Sequence, residues 1–519
     1  MILNTKINFT TRKNFSDKNL KFVTLFFYIT LFLSFLIQVL LVKKNEEMYV
    51  VFFQFFANLI IFVYCFNKNN LFQFPVSIVV IFFFNILCSG GAFFFKTFFL
   101  ESLSKNLSLP FNTFVFLFLC NIYIIVSHII YKNINFFQKC RYFFSDILVK
   151  LKVNQFNIKE PNFYFFLGYF SILLPSVLVF FFKNTSENIL VITRALAVFL
   201  NAPILILLLY KDYYSKNLFF YINIIILVFI YMFTSLAVNS RSGVFDYFGL
   251  VIILIFLRLL FGYVKLSTRR LFKYILSIPF LFLLIFIFEN ISNTMLQSRV
   301  FRASFSPTES LKYFYDNFTI FEKNGKSSDL FAHDLFPENY YRISIVNRIN
   351  VVNFVDNIIY SEKYLTASQI NDFKNFEINK IISIFPDPFL RPFLDKFSKK
   401  DYTTTIASKI FQILDPDYGG NLTAGSMFAI LKMYYGYYFF LFFLPFLLLQ
   451  FAILDSFFIK NQFSPILFFL LWSTGTSFLN SLLAPSFSAW LLFIFRTVPQ
   501  SIILYIVLFY LYKIFFIKK

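Results

Sequence analysis

The sequence predicts an all-α polytopic membrane protein with about 12 transmembrane helices and one large, mainly helical soluble loop between helices 9 and 10. Three observations predict it. Of 519 residues, 59% are hydrophobic and only 14% are charged, where a soluble domain carries about 25% charged residues. The apolar residues gather into long uninterrupted runs of the length that crosses a bilayer. Lys and Arg concentrate in alternate connectors between those runs. The 87 Phe residues accompany abundant Ile, Asn, Lys and Tyr, a pattern of coding bias, so the runs are more informative than the Phe count.

The first 21 residues are polar and basic, and an apolar run of 22–42 follows. That run is too long for a signal-peptide core and no small-residue cleavage pattern follows it, so it reads as an uncleaved first span. Further runs cover 48–66, 74–95, 109–131, 163–183, 189–209, 218–238, 243–262, 272–289, 426–453, 463–483 and 488–512. No strand-period alternation competes with them, and open strands would leave backbone groups unpaired in lipid. With the N-terminus placed inside, the inner connectors hold 23 Lys and Arg and the short outer ones hold 6. Both termini are therefore expected on the inner side. The formal net charge of +21 belongs to this asymmetry, and no nucleic-acid partner is expected.

The chain divides into a membrane part at 1–289, a large extracytoplasmic loop at 290–425 and a second membrane part at 426–519. The loop holds 15 basic and 15 acidic residues, a balance that fits a folded domain better than a disordered tail. Ile345, Ile349, Val352 and Val355 recur at helical spacing within it. Pro386, Pro388 and Pro392 break any helix over 385–392, and GGNLTAG at 419–425 is a turn-rich approach to the tenth run. Cys65, Cys88, Cys120 and Cys140 all lie outside the loop, which leaves it no disulfide framework and no cysteine-type zinc site.

Ionisable groups inside a bilayer are costly and commonly functional. Arg194 and Arg496 lie in the outer halves of the sixth and twelfth runs, and Arg241 sits in the four-residue turn SRSG. Asp246 and Glu289 approach the same outer leaflet. Arginine stays charged and offers a planar fork of donors to phosphate oxygens, so the convergence reads as an anion site. Each arginine alone also fits snorkelling to lipid headgroups or pairing with Asp246 or Glu289. Arg299 and Arg302, spaced i, i+3, and Arg342 and Arg348 add positive charge in the loop. His333, with Asp334 and Glu338 nearby, is a candidate general base, and a solvated loop histidine is the plainer reading. His128, near the inner end of the fourth run, reads as structural, and Gly90–Gly91 as a packing or kink site. Phosphate-cradling GxxxxGK[ST], HExxH and GxSxG motifs are missing, which removes ATP-driven transport, zincin proteolysis and α/β-hydrolase chemistry in their usual forms.

Two stretches carry a family resemblance. SRSGVFDYFGLVIILIFL at 240–257 places an arginine-bearing turn before an apolar run. Farther on, FPDPFLRP at 385–392, GGNLTAG at 419–425 and Gly436 in YYGYY follow in order. Over roughly 230–445 the chain resembles the oligosaccharide repeat-unit polymerases, or O-antigen polymerase-like proteins. The resemblance implies a bacterial inner-membrane glycosyltransferase of the GT-C-like kind, with both termini cytoplasmic and the large loop periplasmic. It further implies transfer of a glycan from undecaprenyl pyrophosphate to the non-reducing end of an incoming lipid-linked unit, in surface polysaccharide or lipopolysaccharide synthesis. No cofactor is implied, because the glycosyl–pyrophosphate bond supplies the energy. The bilayer, the undecaprenyl-pyrophosphate-linked oligosaccharide, a chain-length regulator and a flippase are the implied partners. Of the site residues only Arg241 comes from a matched motif. Arg194 and Arg496 beside it, the loop arginines for a second carrier, and His333, Asp334 or Glu338 as base are assignments from topology.

Three alternatives stay open. An O-antigen ligase shares the architecture and donor but uses a different acceptor. A lipid-linked sugar flippase or transporter fits the number of runs, although such proteins usually show repeat symmetry. A transferase using a polyprenyl monophosphate sugar would place paired carboxylates in the first outer connector, where Glu46 and Glu47 stand.

Overall fold

Long apolar helices with hydrocarbon side chains turned outward make up the body of the molecule. The computed structural model describes residues 17–140, 143–151, 161–181, 196–199, 202, 218–237, 256, 260, 287, 290–291, 294–295, 307–318, 351–385, 402, 404–414, 426–459, 462–463 and 481–516. Among these, five helices are long and apolar enough to cross a membrane: Asn19–Leu41, Asn45–Cys65, Pro110–Asn133, Met427–Asp455 and Phe487–Phe516. A sixth would be the pair Pro75–Leu87 and Ser89–Phe98, bent by 46°. All coincide with expected runs.

The described helices are α1 (Asp17–Leu41), α2 (Asn45–Cys65), α3 (Lys68–Gln73), α4 (Pro75–Leu87), α5 (Ser89–Phe98), α6 (Pro110–Asn133), α7 (Asn135–Cys140), α8 (Phe143–Lys150), α9 (Pro161–Phe181) and α10 (Leu218–Ala237). Within the 290–425 segment lie α11 (Pro307–Asn317), α12 (Val352–Ser361), α13 (Ala367–Ile382) and α14 (Ile406–Leu414). The chain continues with α15 (Met427–Tyr435), α16 (Phe439–Asp455) and α17 (Phe487–Phe516). Helices α9 and α10 match the expected fifth and seventh runs. The runs at 189–209, 243–262, 272–289 and 463–483 lie outside the described residues apart from isolated positions. A two-residue antiparallel ladder, Phe458↔Phe463 and Ile459↔Gln462, is the single described departure from helix and coil.

Local chemistry sets the helix ends. Pro75 and Pro110 open α4 and α6, where a missing N–H costs nothing. The Asn67 side chain accepts from the Asn69 and Asn70 amides to start α3, and Thr366 with Gln369 forms a capping box on α13. Between α15 and α16, Gly436 adopts φ 57° and ψ −152°, a region open essentially to glycine alone. The YYGYY motif is therefore a break inside the long Met427–Asp455 helix.

On α1, Leu25, Phe26, Ile29, Phe32, Leu33, Leu36 and Leu40 are exposed. An apolar face of that extent calls for lipid or another protein to cover it. The inward faces of the long helices form one continuous apolar core, and it takes in Val352, Val355, Ile358, Phe373, Phe376, Ile406 and Phe411 of the 290–425 segment. Helix α12 is buried on eight of its ten residues. The amphipathic stretch expected over 343–359 is thus, from 352 onward, a helix buried nearly all round, wedged against α6, α14 and α15.

The α4–α5 break is lined by amides. Asn85 Nδ2 donates to Asn58 Oδ1 at 2.7 Å, Ser89 Oγ donates to Asn85 Oδ1 at 2.9 Å, and Asn121 Nδ2 reaches Ser89 Oγ at 3.0 Å. The carbonyl of Leu87, released by the bend, accepts from Val351 N at 3.1 Å. Gly90 sits against this cluster: a Cβ there would lie 2.6 Å from Asn58 Oδ1 and 2.8 Å from Asn85 Nδ2. Gly90→Ala should therefore break the Asn58–Asn85 bond and destabilise the protein by about 1–3 kcal/mol. Thermal unfolding in detergent checks this, and an unchanged melting temperature would contradict it.

Candidate functional site at the Pro110 end of the bundle

Helices α2, α6 and α17 all begin at the end of the bundle that carries Pro110, and helices α12, α13 and α14 of the 290–425 segment gather there. A helix N-terminus presents unpaired N–H groups and a partial positive charge. Two acidic side chains of the segment answer it. Asp356 of α12 accepts from the Ser108 amide at 2.7 Å, the Leu109 amide at 3.0 Å and the Thr113 hydroxyl at 2.7 Å, at the start of α6. Glu377 of α13 accepts from the Ser488 amide, in the first turn of α17. Ser486 supplies the local cap there through its bond to the Ala489 amide at 3.3 Å. Burial pushes both carboxyls above their ordinary values, against the hydrogen bonds that favour the charged forms.

Further ties hold the segment. Lys432 of α15 pairs with Glu362 at 2.5 Å, and Lys380 Nζ donates to the Thr404 carbonyl at 2.5 Å. Tyr434 OH donates to the Phe373 carbonyl at 3.3 Å. Lys409 stands 3.7 Å over the ring of Phe376.

Arg496 is the one sequence-predicted site residue that the structure describes. It occupies a π turn, Phe493–Thr497, inside α17, a distortion frequent at functional sites. Its side chain is half-buried and makes no hydrogen bond or ion pair among the described residues. Side chains on a helix commonly lean toward its N-terminus, and the N-terminus of α17 is the end that Glu377 caps. Arg194, Arg241, Arg299, Arg302, Arg342, Arg348, His333, Asp334 and Glu338 lie outside the described residues, as do Asp246 and Glu289. Their expected convergence with Arg496 therefore has no geometry here.

The same end contains a second buried cation. Lys96 of α5 has no exposed surface and reaches Glu101 Oε2 at 3.2 Å and the Lys105 carbonyl at 3.3 Å. Burial raises the Glu101 carboxyl, and Lys105 and Lys96 more than reverse this, leaving it below its ordinary value. Glu47, one of the paired carboxylates of the first connector, accepts from the Lys43 amide at 3.2 Å and the Ser104 hydroxyl at 2.7 Å. Its contacts are those of a brace at the start of α2.

At the opposite end, His128 is fully buried. Its Nδ1 meets Tyr64 OH at 2.7 Å and its Nε2 meets Ser77 Oγ at 2.8 Å, while Ser77 Oγ also donates to Asp455 Oδ2 at 2.8 Å. Tyr131 OH adds a bond to the same carboxylate oxygen at 3.2 Å. Serine, histidine and aspartate meet here, but serine is the hub and bonds directly to the carboxylate. In a nucleophilic triad histidine stands between the two. The cluster ties α4, α6 and α16 together, in line with the structural reading of His128. Among the described residues no group of three or more His, Cys, Asp and Glu could hold a metal ion.

Asp356 and Glu377 were not singled out from the sequence, although each carries a readable signal. Glu377 shares the buried face of α13 with Phe373 and Phe376, and Asp356 falls beside Val355 on an otherwise apolar helix. An acid on an apolar face calls for a partner.

Asp356→Ala should leave three donors at the start of α6 unpaired, each costing about 1–3 kcal/mol if it stays buried. Limited proteolysis within 352–385 should speed up markedly, and unchanged cleavage would show that the cap does not hold the segment. A pH effect follows as well. Both carboxyls are raised in the folded chain, so it holds more protons than the unfolded chain between the ordinary and raised values. Their contribution is fully present below the ordinary carboxylate range and is lost as pH rises through the raised values. The Glu377→Gln variant, which retains an acceptor for Ser488, should gain less in melting temperature than the wild type on acidification from about pH 8 to about pH 5.

No protein-family model matches the chain, and neither a curated protein nor a solved structure matches it.

Proposed function

We propose that the chain is a membrane glycosyltransferase that polymerises lipid-linked oligosaccharide repeat units for a bacterial surface polysaccharide. On this reading it has twelve spans, cytoplasmic termini, and a periplasmic 290–425 segment docked on the outer ends of the helices. The observation that carries the reading is Arg496, a half-buried cation in a π turn of a long apolar helix, with no anionic partner among the described residues. A cation kept at that depth needs an anion, and a polyprenyl pyrophosphate would bring one from the bilayer. Arg194 and Arg241 would share its charge and stabilise it as it leaves. Arg299, Arg302, Arg342 and Arg348 would hold the second carrier. His333, Asp334 and Glu338 are the sequence's candidates for taking the acceptor proton.

A second reading, a flippase or transporter for the same lipid-linked sugar, draws support from the α4–α5 break. Broken helices lined by polar groups are common at transport sites, and Asn58, Asn85, Ser89 and Asn121 line this one. Arg496, however, is carried by α17, which contributes no residue to that polar cluster.

Purified protein in vesicles with lipid-linked repeat units separates the readings. Elongated glycans are expected from the wild type, whereas units that cross the vesicle wall without elongating would favour the transporter. Arg194→Ala, Arg241→Ala and Arg496→Ala should each lower elongation by about 10²–10³-fold, with the protein still in the membrane. Lysine at these positions should restore little if two-pronged contact matters. Wild-type chain lengths in all three alanine variants would overturn the anion site.

A further inference from the structure

The cap that Glu377 places on α17 uses only half of the carboxylate. One oxygen accepts from the Ser488 amide, and the hydroxyls of Ser486 and Ser488 also face the group. Its Oε2 is buried with no hydrogen-bond partner among the described residues, in a residue only 4% exposed. A second orphan lies just before α14: Thr404 Oγ1 is buried without a partner among the described residues as well. Lys380 links the two positions, because its ammonium acts on Glu377 and donates to the Thr404 carbonyl. Ten buried side-chain polar atoms go without a partner among the described residues, and Glu377 Oε2 is the one carboxylate oxygen among them, the costliest kind to leave unpaired. Capping does not account for its burial, since Ser486 already caps the helix. A polyhydroxylated ligand would: one hydroxyl donates to Glu377 Oε2 and a neighbouring one accepts from Thr404.

We propose that the corner between α13 and α14 is the acceptor-sugar subsite of the transferase described above, and that Glu377 takes the proton from the attacking hydroxyl. The proposal rests on the glycosyltransferase reading and moves the base from His333, Asp334 and Glu338 to a residue of α13. The spacing suits the reaction. Ser488, which Glu377 caps, precedes Arg496 by eight residues, about 12 Å of helical rise, an interval that an arginine side chain directed toward the helix N-terminus would shorten. A donor pyrophosphate at Arg496 and an acceptor hydroxyl at Glu377 would then stand on opposite sides of one sugar. In the step itself, the acceptor oxygen forms a bond to the anomeric carbon. The bond from that carbon to the pyrophosphate oxygen breaks, and its electron pair leaves with the pyrophosphate. The hydroxyl proton passes to Glu377 Oε2 and from there to water after the product moves on. Among the described residues, Tyr434 from α15, Lys380 on α13, and Ser486 and Ser488 at the start of α17 are the polar and charged groups that act on the carboxylate, and Lys409 on α14 acts on Lys380.

The test is elongation by the purified protein in vesicles with lipid-linked repeat units, measured across pH. Glu377→Gln keeps an oxygen for the Ser488 amide and removes the base. It should lower the elongation rate by about 10²–10⁴-fold, abolish the rise of rate with pH that the wild-type carboxylate gives, and leave the affinity for the donor lipid unchanged. Elongation at the wild-type rate with the same pH profile would reduce Glu377 to a helix cap and overturn the proposal. Thr404→Val is the second probe, should the glutamine variant fold poorly. It should raise KM for the acceptor about tenfold, the worth of one hydrogen bond, with kcat retained, and an unchanged KM would remove the subsite. If the wild-type protein itself does not elongate, the glycosyltransferase reading fails, and that outcome is separate from an active wild type with an equally active glutamine variant.

Discussion

Two buried carboxylates meeting two helix N-termini hold α12 and α13 of the 290–425 segment to the body of the protein. A long helix that begins at the edge of a bundle leaves N–H groups unpaired and carries a partial positive charge there. Asp356 gives α6 three acceptor contacts, and Glu377 gives α17 one. The hydrogen bonds favour the charged carboxylates, but burial outweighs them and holds both groups above their ordinary values. Apolar packing does the rest, since α12, α13 and α14 share the core of the long helices. The acids add direction: an apolar surface accepts many orientations, but a carboxylate fitted to particular amides accepts few. In a protein whose helices are apolar on most sides, such polar contacts are what fix one helix against another.

The interior shows the same economy of polar groups. The Asn58–Asn85–Ser89–Asn121 cluster fills the space opened by the α4–α5 bend, and Gly90 lets the backbones come close enough for the amides to meet. The carbonyl that the bend releases is taken by Val351, so the bend and the docking of α12 depend on each other. At the other end, Tyr64, His128, Ser77, Tyr131 and Asp455 join helices far apart in sequence. Lipid offers no competing donors or acceptors, so the polar side chains of these two clusters find their partners within the protein.

The long helices were legible in the sequence because hydrocarbon thickness imposes a length that composition alone reveals. The ends were less so. The break at Gly436 leaves hydropathy unchanged, and only the backbone angle explains the residue. The bend at Cys88 is likewise hidden in an apolar run, with Gly90–Gly91 as its only sequence mark. Charge counting drew attention to Arg496, because a cation within an apolar run stands out. It passed over Asp356 and Glu377, because acids in a charge-balanced segment look ordinary until their face of the helix is known. Lys96 escaped for the opposite reason: it sits at the edge of a run, where a lysine usually reaches water, yet here it is enclosed by Glu101 and its own connector.

The π turn at Phe493–Thr497 also bears on how the protein tolerates change in length. Such a turn holds one residue more than the α-helix around it, so shortening α17 by one residue inside the turn would restore regular winding and keep both flanking halves in phase. The same deletion a few residues later would rotate the end of α17 by about 100°. Tyr505 and Tyr512 would then leave the ring of Phe163, which they meet at 5.8 Å and 5.2 Å, and Tyr510 would lose the Leu151 carbonyl at 2.9 Å. The helix thus carries its own expansion joint at the arginine, with rigid registers on either side.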